Sequence, residues 1–293
     1  MKRLTTYLFV LCISFVQAQS FDHIVYKQEV NQAYMLAVKD AKYTESLQKL
    51  EAVKKKYGML YGEEYLLQSY CYKMLENDSL TALSLKSCWS VPSFDMRTMW
   101  YVNQLQPGKL MEGFNEQENQ LVNEGFENGA KIRPKNADSL LQVFKRISEE
   151  DRIISNEWMM DQGNKEVRSR YDAMFREHEA FLENYVLANG YPGEKQLQFM
   201  DGEVLLLLIH TAHNEEFYQR MKPVFINEVK IGNMSPWMYA RWVDQHQSYY
   251  KLLSIYQTLT DHPFMNTEEE RKQISKNRYE IGLLDLEFTD PKF

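Results

Sequence analysis

This chain has little of what punctuates or cross-links a fold. Its 293 residues include 8 prolines, 12 glycines and 3 cysteines. Only Cys71 and Cys88 lie beyond the first twenty residues, and two thiols do not make the disulfide framework of a small secreted domain. β-Branched alternation is nearly absent, which speaks against a sheet-built core. The N-terminal apolar run, roughly ten residues, is too short for the roughly 20 of a membrane-spanning helix, and no later run comes close. Val204–Ile209 comes nearest, at six residues. Clustered Lys and Arg are missing, and the net charge is −7, so nucleic acid is not an expected partner. Lys54-Lys55-Lys56, a short basic run, ends an expected helix, where cations suit the dipole. There is no Gly-x-Ser-x-Gly elbow, and no histidine neighbours either mature cysteine in sequence. Gly190 to Gly193 lack the Lys-Ser or Lys-Thr that a phosphate loop needs.

What is present begins with an export signal. Lys2 and Arg3 carry charge, Tyr7–Val16 form an apolar run, and Val16 and Ala18 stand at signal-peptidase spacing. Residues 1–18 are therefore expected to be removed, leaving Gln19 as the new N-terminus of a periplasmic or secreted protein without a stable membrane span. Leu11 before Cys12, with Ile13, Phe15 and Val16 after it, does not fit a lipid-anchor signal.

The mature chain of about 275 residues, from a sequence 44% hydrophobic and 13% aromatic, can bury a large core. Apolar residues recur at three- and four-residue intervals almost throughout, so the expected fold is all-α. From 21 to 91, Gln32-Ala33-Tyr34 and Gln68-Ser69-Tyr70 stand 36 residues apart, as do Ser46-Leu47 and Ala82-Leu83. Polar turns fall at Lys39–Lys42 and Glu76–Ser79, with Asp78 or Ser79 expected to cap the helix that follows. The segment resembles two degenerate tetratricopeptide-type helix hairpins. Residues 92–134, broken by Pro92, Pro107-Gly108, Gly113, Gly125, Gly129 and Pro134, read as an irregular connection with short helices.

A second helical domain is expected over 135–293. The helix opening at Ala137-Asp138-Ser139 carries Leu140, Leu141, Val143, Phe144 and Ile147 on one face. A long helix from about Lys165 is stopped by Asn189-Gly190 and Pro192. Further helices are expected at about 202–213, 215–228, 235–250 and 267–277. Ser235 caps the third with Pro236 in its first turn, and Thr267 with Glu270 forms a capping box for the last. Within this part Asp151-Arg152, Asn189–Gly193, His210–His213, Lys222-Pro223, Gly232–Ser235, Tyr239-Ala240, Asp244, Tyr256-Gln257-Thr258 and Asn277–Leu283 follow one another in order. Over about 144–288 the chain resembles a bacterial family of secreted helical domains of unknown function. It departs from that family in three places. Gln257 stands where the family usually has glycine, Gln245 where it commonly has arginine, and either His210 or His213 matches its single histidine. The resemblance implies a domain boundary and no particular reaction.

The polar residues with most chemistry are His210, His213, Asp244 and His246. His210 and His213 share a helix face, and zinc takes two imidazoles plus a carboxylate, with an open position for water. Glu203, Glu215 or Glu216 would then act as base. The spacing is not that of the helical zinc-protease motif, and Asp244 and His246 point in different directions on one helix. His178, between Phe175 and Phe181, reads as a hydrogen-bonded core residue. Trp237, Tyr239, Trp242, Tyr249 and Tyr250 read as core, with an exposed aromatic ledge as the alternative. Cys71 and Cys88 are candidates for a disulfide if their helices are antiparallel neighbours. The expected function is a non-enzymatic interaction or structural module for a protein or peptide partner, with no cofactor. The alternative is a metal-assisted hydrolase using zinc at His210, His213 and Asp244.

Overall fold

A computed structural model describes residues 21–91, 113–129, 136–197, 202–259 and 267–285. Among them are twelve α-helices and no strand. The expected signal segment with its cleavage point at Ala18, and most of the 92–134 connection, lie outside the described residues.

The first four helices are α1 (His23–Val38), α2 (Tyr43–Tyr57), α3 (Gly62–Met74) and α4 (Asp78–Cys88). α1 packs on α2, α3 on α4, and α2 on α3. Asp22 starts α1 by accepting from the Ile24 and Val25 amides. Gly58, at φ 76°, ends α2 in the left-handed region that a side chain disfavours. Asn77, rather than the expected Asp78 or Ser79, caps α4 by accepting from Leu80 N. Small residues let the helices approach: Ser46 on α2 is fully buried and donates 2.8 Å to the Ala33 carbonyl of α1.

Cys71 and Cys88 lie in this layer as free thiols, so the candidate bridge is not formed. Each has its own acceptor instead, Ser46 Oγ for Cys71 and the Gly62 carbonyl for Cys88. Burial pushes both thiols up, Cys71 to about 11, so neither has thiolate character.

The connection is not wholly irregular. It contains α5 (Glu116–Gly129), which packs on α4 and starts with a reciprocal Asn115–Glu118 cap. Then come α6 (Ala137–Met160), α7 (Lys165–Asn189), the single turn α8 (Glu194–Leu197), α9 (Gly202–Thr211), α10 (Glu215–Lys230), α11 (Pro236–Tyr249) and α12 (Glu268–Glu280). The apolar α9, six of whose ten residues are Val, Leu or Ile, is packed by α6, α7 and α11. A helix apolar on most sides belongs inside. Phe144, Leu182, Leu208, Phe217, Phe225 and Trp242 are fully buried members of this core. α1 is shared, since its Ile24 joins that core while its Tyr34 and Ala37 face the first four helices. No described helix is long and apolar enough to cross a membrane.

Candidate functional site

Several of the expected site residues work as fasteners. Asp244, fully buried on α11, accepts from the backbone amides of Ile255, Tyr256 and Thr258 and from Thr258 Oγ1, at 2.7–3.0 Å. The loop so gathered is held from behind by Arg278, which donates to the Tyr256 and Leu284 carbonyls. Burial draws the Arg278 guanidinium down to about 10, against the pull of Asp244 and Asp285. Gln257 adopts φ +53°, a backbone conformation that glycine favours. His246 is equally engaged. Its Nδ1 lies 2.8 Å from the Ala212 carbonyl, its Nε2 3.2 Å from Glu215, and its ring stacks on Tyr218.

The Asn189–Gly193 and Gly232–Ser235 segments also meet. Glu228 accepts from Tyr191 N and Asn233 Nδ2 at 2.7 and 2.9 Å, and a Cβ on Gly193 would overlap the Asn233 carbonyl oxygen. These two segments thus form a joint between helices.

Where α6, α7 and α9 converge, the arrangement differs in kind. Asp151 of α6, 4% exposed, places Oδ2 2.5 Å from His210 Nδ1 and 3.8 Å from His178 Nδ1. Its Oδ1 accepts from Ser155 Oγ at 3.0 Å. His178 is buried, and among the described residues neither ring nitrogen has a hydrogen-bond partner, which departs from the expectation of a hydrogen-bonded core histidine. Its pKa lies below the ordinary value because burial outweighs the attraction of Asp151. His213 sits one turn after His210, its Nδ1 2.5 Å from the His210 carbonyl and its Nε2 4.0 Å from Glu179 Oε1. Phe175 lies between the two histidines, edge-to-face with both. His210 Nδ1 thus faces a carboxylate and His213 Nδ1 a carbonyl, and both acceptors favour a proton on Nδ1 with the lone pair on Nε2.

His213 opens onto a cleft of about 530 Å³ lined by Tyr171, Asp172, Phe175, Arg176, Glu179, His213, Asn214 and Tyr249. The walls come from α7, the α9–α10 corner and the end of α11. Trp158 of α6 stacks on Tyr171 at 4.9 Å and 15°, extending the aromatic wall. The expected aromatic stripe is divided: Trp237, Tyr239 and Trp242 are core, whereas Tyr249 and Tyr250 are exposed.

His210 and His213 are adjacent as expected, but Asp244 is turned to its own loop. Among the described residues no group of three His, Cys, Asp or Glu side chains is placed to hold a metal ion. The carboxylates that do meet the histidines are Asp151 and Glu179, which sequence reasoning passed over. Asp151 lies on the same helical stripe as Ile147 and Ile154, and Glu179 follows the stripe of Phe175 and His178. A carboxylate on or beside an apolar stripe was the available signal. No family model, no curated protein and no solved structure matches this chain.

Proposed function

We propose that this chain is an exported, non-enzymatic interaction module, and that the aromatic cleft beside His213 is where a protein or peptide partner is held. One observation carries the reading. Asp244, His246 and Glu228 are engaged in closing the fold, while the cleft is open, is lined by the exposed Tyr249 and adjoins the exposed Tyr250, whose hydroxyl donates to the carbonyl of the cleft residue His213. Exposed apolar side chains grouped beside a concavity are the usual mark of a binding surface. The paired packing of α1 on α2 and α3 on α4 suits a tetratricopeptide-like layer, a scaffold type that presents partner surfaces. The N-terminal pattern of Lys2, Arg3 and the Tyr7–Val16 run supports export. Selection of binders from a random peptide library on the mature chain tests the reading. Selected peptides should lose affinity on Tyr249→Ala, and peptides indifferent to every cleft substitution would sink it.

A second reading, hydrolysis, is favoured by the short Asp151–His210 contact. An imidazole whose Nδ1–H is held by a carboxylate has the form of a general base acting through Nε2. Turnover of an ester or phosphoester panel that disappears in His210→Gln would establish it and displace the first reading.

A further inference from the structure

The floor of the cleft contains a carboxylate whose hydrogen bonding is only half complete. Glu179 is 7% exposed and lines the cleft. Its Oε2 accepts from Asn214 Nδ2 at 2.7 Å, and Asn214 is itself pinned as the cap of α10. Its Oε1 accepts no hydrogen bond from any described residue; His213 Nε2 stands 4.0 Å away. Burial raises the pKa of this carboxyl, which reflects how poorly its charge is solvated. A desolvated carboxylate with an open oxygen gains most from a cationic donor, because charge-assisted bonds strengthen as water is excluded.

The walls suit the same occupant. Tyr171 and Phe175 meet edge-to-face at 4.6 Å, and Tyr249 lies across the cleft. Aromatic faces attract ammonium and guanidinium groups. Asp172 adds a second negative charge at the rim, against the positive charge of the exposed Arg176. The chain's net charge of −7 attracts basic segments from a distance.

We propose that this cleft takes one basic side chain, the lysine ammonium or arginine guanidinium of a peptide partner, with Glu179 Oε1 as its acceptor and Tyr171, Phe175 and Tyr249 as its walls. The inference rests on the cleft being the binding surface, and adds the chemistry of what enters it. An anionic group would have to sit against Glu179 and Asp172 to use Arg176.

The test is a nuclear magnetic resonance titration of the mature chain, at low ionic strength, with blocked Gly-Lys-Gly, Gly-Arg-Gly and Gly-Glu-Gly. The readout is the Asn214 side-chain amide and the His213 ring. The basic peptides should shift these signals saturably. Glu179→Gln should weaken them by about tenfold or more, equivalent to at least ~1.4 kcal/mol, and Tyr249→Ala should weaken them as well. Glu166→Gln, which removes an exposed carboxylate from the first turn of the same helix, outside the cleft lining, should leave binding unchanged. Equal weakening by Glu166→Gln would reduce the effect to net charge and overturn the proposal. Saturation by the acidic peptide alone would overturn the basic occupant while keeping the cleft as a binding site. Silence with all three peptides would overturn both.

Discussion

Asp151 Oδ2 lies 2.5 Å from His210 Nδ1 and joins two helices, α6 and α9, whose sequences are 59 residues apart at this contact. Hydrogen bonds involving a charged partner contribute roughly 1.5–3 kcal/mol, and more is lost when one side is removed and the other stays buried. Asp151→Ala should therefore lower stability by about 2–3 kcal/mol in urea unfolding. Nitrogen-15 shifts of the wild-type ring in its neutral form should show the Nδ1–H tautomer.

Asp244 is the heavier fastener. Asp244→Ala leaves three backbone N–H groups, two of them buried, without their acceptor and removes an anion near Arg278. At about 1–3 kcal/mol for each orphaned donor the loss should be at least ~3 kcal/mol. Thr258→Val removes one hydroxyl bond and should cost about 1 kcal/mol. Equal effects of the two substitutions would mean that the loop is not held as described.

Glycine substitutions separate a close approach from open space. Gly193→Ala drives a methyl into the Asn233 carbonyl and should cost about 1–3 kcal/mol. Gly163→Ala meets only the flexible Asp161 side chain at 3.7 Å and should be neutral or slightly stabilising. Gln257→Gly relaxes a positive φ at the expense of chain entropy, so its melting temperature should stay within a few degrees of wild type.

His178 makes stability depend on pH. Its folded pKa is below the usual 6.5, so the unfolded chain binds its proton first as acid is added. The contribution is intact above 6.5 and is lost as pH falls from there towards the folded value. Glu179 acts in the opposite sense just above 4.5, because its folded pKa is raised. The melting temperature should fall between pH 7 and pH 5.5, and His178→Phe should flatten that slope. Asp151 and His210, which face His178, are retained in that variant.

Cys71 and Cys88 should resist labelling by a thiol reagent in the native protein and react after unfolding, without added reductant. Protection that required no reductant to reverse would exclude a bridge.

Helix ends were legible in the sequence because caps are local. Asn189-Gly190, Ser235-Pro236 and the Thr267–Glu270 box each act within four residues, and all three operate as expected. The candidate site was only half legible. Adjacency of His210 and His213 follows from helix geometry, but which carboxylate meets them depends on which helices pack together. α6 and α7 supply Asp151 and Glu179, and neither is near the histidines in sequence. Asp244 was misread because its partners are backbone amides of an irregular loop, which have no residue signature. The Asn77 cap was missed in favour of its neighbours, an error of one residue at the least constrained part of a helix.

Gln28 and Asn31 of α1 donate to the carbonyls of Tyr279 and Gly282, each a separation of 251 residues, and a Cβ on Gly282 would crowd Lys27. A ribosome makes the earlier partner first and reaches the later one only on the order of ten seconds or more afterwards, at ~5–20 residues per second. Throughout that interval the opening helix waits without its acceptors. The early and late segments therefore steady one another, and removing either should loosen both.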